Sequence, residues 1–503
     1  MTQQSDSLPV TIVVFGASGD LTQRKLIPAL FNLFRKHRLR EKFFIVGVAR
    51  TAMDDDAFRK TLLEGVKQFA SYQYTDEEWQ AFAAHLSYHA CDISAEGEEH
   101  KLAQALGALE GGPACRLYYM ATPPKFFPGI AAALGRADML KEIDGFRRVV
   151  IEKPFGTDLK SAMELTELLH HEMSEQQIYR IDHYLGKETV QNMLVFRFAN
   201  GIFEPIWNRN YIDHVEISAL EQVGLEHRAG YYDGVGVVRD MFQNHMLALL
   251  TLVAMEPPAS INATALRNER AKVLAAVRPI GSGELRQETV RAQYDGYRQE
   301  EGVAPDSQTP TYAAMRFYID NWRWQGVPFL VRSGKKLKEK RTEIIIQFKK
   351  PPHAMFPDAD RDSMPANVLS MCLTPEEGIH LRFDAKVPDK AAEMRPVDMD
   401  FTYADTFGPR SIPEAYERLL LDALHGDQSL FNRSDQVELS WQLLDPILAG
   451  WEAPGGPPLA TYAPSSNGPR EADALIMGSG AAWLRGGCGK DMTTGAPEGQ
   501  EPA

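Results

Sequence analysis

Eight consecutive residues, Arg180-Ile-Asp-His-Tyr-Leu-Gly-Lys187, put an acid, an imidazole, a phenol and a lysine side by side, the density of an active site. The apolar run over 178–181 predicts a short strand, and apolar residues at helical spacing predict a helix over 187–199. His183, Tyr184 and Lys187 then lie in a strand-to-helix loop and at a helix N-terminus. Free backbone N–H groups and the helix dipole favour an anion at such a place, and a phosphate fits there.

Five other segments carry comparable chemistry. Gly16-Ala-Ser-Gly-Asp-Leu21 follows the first apolar run and precedes a helical pattern, where backbone amides can approach a pyrophosphate. It departs from G-x-G-x-x-G at Ser18 and Leu21, so taken alone it also reads as an ordinary strand–helix turn. Its place in the first βαβ unit favours a dinucleotide. The second strand ends Val46-Gly-Val-Ala-Arg50, with no acidic residue to hold a ribose diol. Arg50 suits a 2′-phosphate, so NADP is expected, with NAD the weaker alternative.

Ile151-Glu-Lys-Pro-Phe-Gly156 places Lys153 at the C-terminal end of a parallel strand, the edge at which open α/β sheets bind ligands, and Pro154 holds Lys153 extended. A solvated strand-end lysine is the competing reading. His245 sits in the otherwise apolar stretch that follows Arg239-Asp-Met-Phe-Gln-Asn. A histidine so placed is either a hydrogen-bonded core residue or, with a carboxylate partner, a general base with a pKa near working pH. Arg332-Ser-Gly-Lys-Lys-Leu-Lys-Glu-Lys-Arg341 is a basic run in an acidic chain, read as a solvated face or as lysines that reach a phosphorylated substrate.

The elements that must position these residues change character along the chain. Strands expected over 10–15, 43–48, 115–121, 148–152 and 178–181 alternate with helical patterns, including 54–69 capped by the acidic run Asp54-Asp-Asp56. Leu26, Leu30, Leu33 and Phe34 form one face of the first helix. A parallel, doubly wound, Rossmann-like α/β domain over 1–185 is the simplest solution. Beyond about residue 200, strands follow one another at 213–220, 343–348, 368–373 and 379–385. Helices are expected over 231–255, 414–424 and 436–448, the last two packed on the sheet. This predicts an α+β domain with a large, mostly antiparallel sheet over 186–485. The Gly-, Pro- and Thr-rich stretch 486–503 is expected to be a disordered tail.

Composition narrows the partners. With 54 basic and 68 acidic residues among 503, the formal charge of −14 argues against general nucleic-acid or anionic-membrane binding. No apolar run is long and uncharged enough to span a bilayer, and residues 1–9 lack the pattern of a secretory signal, so a cytoplasmic protein is expected. Cys91, Cys115, Cys372 and Cys488 show no C-x-x-C spacing, which suits a reducing compartment, and no metal site is expected.

In order along the chain, the Gly16, Ile151, Arg180, Arg239 and Arg332 segments, with Lys340, resemble the glucose-6-phosphate dehydrogenase family. The resemblance runs from about residue 10 to about 483; the Arg180 segment is specific to the family, the glycine turn is not. It implies oxidation of C1 of D-glucose 6-phosphate to 6-phospho-D-glucono-1,5-lactone with hydride transfer to NADP, the first step of the oxidative pentose phosphate pathway. It implies His245 as the general base and Asp182 as its orienting partner. His183, Tyr184 and Lys187 match the positions that hold the sugar phosphate, Lys153 the lysine between substrate and cofactor, and Glu221 and Asp240 sugar-hydroxyl ligands. Lys335 and Lys340 match basic contacts to the substrate. Gly16, Ser18, Gly19, Asp20 and Leu21 match the pyrophosphate turn, and Arg50 the 2′-phosphate contact.

The resemblance further implies a homodimer or homotetramer joined through the second domain. The ending Ala481-Ala-Trp-Leu484 and the Gly-rich tail differ from the aromatic and basic ending of members that carry a second, structural NADP, so none is expected. Two other readings stay open: a dehydrogenase of the same plan for a different sugar, against which the phosphate cluster counts, and a non-catalytic nucleotide sensor, against which Asp182 with His245 counts.

Overall fold

The first strand, β1 (Val10–Phe15), is buried along its whole length, as a strand must be when helices cover both faces of its sheet. The computed structural model describes residues 8–225, 228–353, 365–390, 393–408, 412–477 and 483–487. The chain divides into two units, one of Met1–Gly186, Pro258–Ala271 and Pro413–Trp441, the other of Lys187–Pro257, Lys272–Ile412 and Gln442–Ala503.

In the first unit β1 is joined by β2 (Phe43–Ala49), β3 (Leu86–Ala90), β4 (Cys115–Met120), β5 (Arg147–Ile151) and β6 (Ile178–Ile181). All pair in parallel in the order β3-β2-β1-β4-β5-β6, the doubly wound arrangement whose strand order reverses beside β1. Leu26, Leu30 and Leu33 pack with Ile12, Val14 and Ile45 in one core, with Phe34 half-buried against it. Asp54 caps the helix Asp55–Phe69 through Ala57 N (2.8 Å), the role its acidic run predicts. Cys91 and Cys115 are buried free thiols.

The second unit holds β7 (Ile212–Leu220), β8 (Thr289–Tyr294), β9 (Tyr312–Tyr318), β10 (Pro328–Gly334), β11 (Arg341–Phe348), β12 (Val368–Thr374), β13 (Gly378–Lys386) and β14 (Met394–Thr402). Two late strands complete the sheets: β15 (Phe431–Asn432) adds an antiparallel edge to β6 in the first unit, and β16 (Leu459–Tyr462) pairs with β8. The resulting nine-stranded sheet runs β14-β13-β12-β11-β7-β10-β9-β8-β16 and is antiparallel except at β7/β10 and β8/β16.

Some expectations need correction. The helix expected over 414–424 is present as Ala415–His425, but it does not cover the antiparallel sheet. Its Tyr416, Leu419 and Leu420 complete the parallel-sheet core, beside the helix Ile27–Arg35. A single amphipathic face can be buried by either sheet, so periodicity alone could not choose. The long helix over 231–255 is broken: Ala229–Asp233 ends before Gly236, which has φ +68°, and the chain resumes as a wide π-helical segment, Val238–Met246, continued by Leu247–Ala254.

Cys372 on β12 is disulfide-bonded, which the scattered spacing of the cysteines does not suggest. Gly486 and Gly487, at the start of the expected tail, are buried; Leu484 N donates to both carboxylate oxygens of Glu216 (3.2 and 3.1 Å) and Gly487 N to Ser370 Oγ (3.0 Å). The rest of that stretch, 488–503 with Cys488, lies outside the described residues.

Candidate active site

The glycine turn leaves the end of β1 at the point where the strand order reverses. Gly16 has φ +84°, and a Cβ there would lie 2.6 Å from Ala121 O, so the turn demands glycine twice over, for its conformation and for its approach to the strand β4. Gly19 N closes the turn on Gly16 O (2.9 Å), and Thr51 Oγ1 lies 3.5 Å from Ser18 Oγ. A cleft of about 230 Å³ opens beside the turn, lined by Gly16, Ser18, Gly19, Arg50, Thr51 and Phe126 among others. Asp20 and Leu21 do not line it: Asp20 is exposed and pairs with Arg24 (3.4 Å), and Leu21 packs against the core.

A dinucleotide fits this donor set. The cleft has a glycine turn for a pyrophosphate, an aromatic wall in Phe126 and a guanidinium where an NAD site places a carboxylate. Arg50 lies over Phe126, its Cζ 5.6 Å from the ring centroid.

At the end of β5, Lys153 is half-buried beside the cis Lys153–Pro154 peptide. Its neighbour Glu152 anchors the segment. Burial pushes the Glu152 carboxyl up from the ordinary carboxylate range, against hydrogen bonds that its Oε1 accepts from Tyr119 (2.6 Å) and Tyr416 (3.2 Å). The Tyr416 ring also lies parallel to His183, with centroids 6.4 Å apart.

Asp182 follows β6 directly and is fully buried; its Oδ1 accepts from Tyr184 N (2.9 Å), which fixes the start of the loop. The guanidinium of Arg270, itself buried, donates to Asn432 Oδ1 (2.7 Å), and Asn432 pairs with Arg180 in the β15/β6 ladder. Burial pulls the Arg270 guanidinium down to about 10, while the Asp182 carboxylate acts to hold it up. His183 and Tyr184 stand in the loop as expected, edge to face at 5.1 Å.

In the second unit Lys187 is the N-cap residue of the helix Glu188–Phe198, and its Nζ donates to Thr374 Oγ1 (3.1 Å). The register of β7 and β10 then makes a cluster. These neighbours are parallel, with Leu220 opposite Gly334, so the next residues on each, Glu221 and Lys335, emerge together at the C-terminal edge. Lys335 Nζ lies 2.7 Å from Glu221 Oε2 and 3.1 Å from Asp240 Oδ2, with the Tyr232 ring centroid at 5.4 Å. Lys335 is buried, which pulls its ammonium pKa down; the Asp240 and Glu221 carboxylates more than offset this, so the pKa is raised.

His245 is buried in the π-helical segment that also carries Asp240, its backbone N held by Asn244 Oδ1 (2.6 Å). Lys340 is exposed just before β11, and no hydrogen bond or ion pair ties it to the Lys335 cluster. Lys338 is also exposed, but the two arginines of the basic run are not part of a solvated face. Arg332 is buried, donates to Ser218 Oγ (2.9 Å) and lies 4.0 Å from the Trp483 ring centroid; Arg341 is buried against Glu343 (3.0 Å).

Several contributors escape sequence reasoning. Thr51 and Phe126 in the cleft, Tyr416 and Tyr119 on Glu152, and Arg270 near Asp182 lie in none of the motifs. Only Thr51, next to Arg50, carried a local signal, as a polar residue just past a strand end.

Family models described as "Glucose-6-phosphate dehydrogenase, NAD binding domain" and "Glucose-6-phosphate dehydrogenase, C-terminal domain" match residues 13–192 and 194–484. A glucose-6-phosphate 1-dehydrogenase of Aggregatibacter actinomycetemcomitans is 46% identical over 490 residues, covering 94% of this chain and 97% of that protein. One from Bacillus subtilis is 40% identical over 485 residues, with the same coverage. Among solved structures, a glucose-6-phosphate dehydrogenase in complex with its substrate glucose-6-phosphate has a TM-score of 0.86 at 38% identity, over 95% of this chain and 98% of that one. The glucose-6-phosphate 1-dehydrogenase of Mycobacterium avium has a TM-score of 0.84 at 35% identity and the same coverage.

Proposed function

The chain belongs to the glucose-6-phosphate dehydrogenase family, and on that premise we propose how its residues carry out the oxidation and which cofactor they take. The reaction converts C1 of D-glucose 6-phosphate to the carbonyl of 6-phospho-D-glucono-1,5-lactone, the first step of the oxidative pentose phosphate pathway. The observation that carries the substrate reading is Lys335 buried between Glu221 and Asp240 at the strand ends. A buried ammonium flanked by two partly exposed carboxylates suits the hydroxyl groups of a sugar, which both donate and accept hydrogen bonds.

The residues divide the work. His245 takes the C1 hydroxyl proton, and Asp182 orients its ring and stabilises the imidazolium that forms. His183, Tyr184 and Lys187 hold the 6-phosphate, with the N-terminus of the helix Glu188–Phe198 adding its dipole. Glu221 and Asp240 accept from sugar hydroxyls, Lys335 and Lys340 donate to the substrate, and Lys153 donates to both ligands. The nicotinamide, when bound, supplies the acceptor for hydride. Gly16, Ser18 and Gly19 receive its pyrophosphate; Asp20 and Leu21 shape the turn from outside the cleft. Arg50, with no acid at the end of β2, supports NADP over NAD.

The second unit also supports association. On β13 and β14, Ile379, Leu381 and Phe383 lie opposite Phe401, Met399 and Val397, so one face of this edge hairpin is apolar, and Met399 is 61% exposed. We take this face to join a homodimer or homotetramer. The location we propose is cytoplasmic; no described helix is long and apolar enough to cross a membrane.

Reduction of NADP and of NAD, followed at about 340 nm where reduced nicotinamides absorb, tests the reading with glucose 6-phosphate against glucose. Reduction only with the phosphorylated sugar, faster with NADP, is expected. Equal rates with both sugars would remove the phosphate-binding roles, and faster reaction with NAD would remove the role of Arg50. Sedimentation of Met399→Glu beside the unsubstituted chain tests the assembly, with a smaller species expected for the variant.

A further inference from the structure

The mouth of the dinucleotide cleft carries a cation that no motif explains. After β4 the chain turns through Pro123 and Pro124 into the single helical turn Pro124–Phe126. Two consecutive prolines fix their φ angles, so this turn is stiff before any ligand arrives. It presents Phe126 to the cleft and leaves Lys125 exposed beside it. Lys125 Nζ is 5.2 Å from the Phe126 ring centroid, and Arg50 Cζ, from the end of β2, is 5.6 Å from the same centroid. Two cations from separate segments therefore share one aromatic ring.

Neither has a carboxylate partner among the described residues, although the chain carries more acidic than basic residues. The acid in the cleft wall, Asp92, accepts from Ser94 N two residues on (3.1 Å). With each cation within 5.6 Å of the same ring centroid, an anion bound at the edge of that ring is attracted by both charges. The Phe126 ring lines the cleft and offers apolar surface to a purine. The ligand that matches both features at once is an adenosine carrying a phosphate on the ribose edge.

We propose that Lys125 is a second specificity-determining cation for the 2′-phosphate of the dinucleotide, acting with Arg50 around the Phe126 ring. This rests on the reading of the cleft as an NADP site and extends it. Discrimination against the unphosphorylated cofactor is then shared between the ends of β2 and β4, which the parallel sheet brings together on either side of β1.

Calorimetric titration of the full chain with adenosine 2′,5′-bisphosphate and with 5′-AMP tests this without turnover. Lys125→Met, which keeps the apolar stem, is expected to weaken the bisphosphate by about threefold to tenfold and to leave 5′-AMP within about twofold, the scale of one exposed charge contact. Lys125→Arg should restore the difference, and high salt should shrink it. Equal weakening of both ligands, or of neither, overturns the proposal. Arg50→Ala separates it from its premise. If Arg50→Ala lowers bisphosphate affinity and Lys125→Met does not, only the role of Lys125 falls; if the unsubstituted chain binds both ligands equally, the NADP reading falls with it.

Discussion

The dinucleotide cleft of the first unit and the Lys335 cluster of the second are built from different materials. The cleft is largely main chain: a glycine turn between parallel strands, with Arg50 and Lys125 exposed at its mouth. The cluster is charged side chain, a buried ammonium between two partly buried carboxylates, assembled from β7, β10 and the segment after Gly236. Solvent makes the difference. Charges at the mouth of the cleft are screened by water and add affinity one small increment at a time, whereas in the cluster each charge is compensated by the others and none can be removed alone.

That contrast can be broken by substitution, beginning with the reacting centre. His245→Asn is expected to lower kcat by about 10²- to 10⁴-fold, the usual contribution of a general base, with a smaller change in KM for glucose 6-phosphate and none in NADP affinity. Steady-state kinetics with a binding titration of the cofactor will check this; a kcat near the unsubstituted value would remove His245 as the base.

Lys335→Met should strike binding and stability together. It leaves Glu221 and Asp240 facing one another without their cation, so KM for the sugar phosphate should rise more than about tenfold and urea unfolding should show a loss of about 2 kcal/mol. Arg50→Ala is the counterpart in the cleft. It should weaken NADP about tenfold, leave NAD nearly unchanged and leave the unfolding curve where it was, because Arg50 is not buried in a charge network. If Arg50→Ala destabilised the fold as much as Lys335→Met, the contrast between the two sites would be lost.

The smallest effect concerns pH. Glu343 is buried, which pushes its carboxyl up to about 7 against the opposing influence of Arg341 and Arg332. A carboxyl with a raised folded-state pKa binds its proton more tightly in the folded chain than in the unfolded one. Its contribution is therefore most favourable below the ordinary carboxyl range and is lost as pH rises through about 7. Glu343→Gln should thus raise Tm by about 2–4 °C at pH 8 and change it little near pH 5, as thermal melts at the two pH values will show. An equal shift at both would mean that the side chain acts by packing and not by charge.

Much of this was legible in the chain before folding. β1 and β6 stand where the apolar runs placed them, Asp54 caps its helix, and the loop from Asp182 to Lys187 joins a strand to a helix N-terminus. β8, β9, β10 and β14 were not foreseen. β10 carries the first residues of the basic run, whose charges invited a surface reading, and β14 alternates hydrophobic with acidic residues beside a neighbour that leaves its apolar face open. The basic run itself misled because composition cannot tell a solvated arginine from one paired inside a sheet, as Arg332 and Arg341 are. His245 is buried in its apolar stretch, as both readings of that histidine require, while the Tyr416 and Tyr119 contacts to Glu152 had no signal.

Sequence by itself determined the strand–turn–helix at Gly16 and the change from alternating to consecutive strands near residue 200. Those features are set within a dozen residues, by hydrophobic period and by the conformations that glycine and proline allow. Only the tertiary structure decided that Glu221 meets Lys335 across 114 positions, that the helix Ala415–His425 returns to the parallel sheet and that Lys125 shares a ring with Arg50. Such meetings depend on sheet order and strand register, which arise from the simultaneous burial of many apolar faces and are written in no single stretch of the chain.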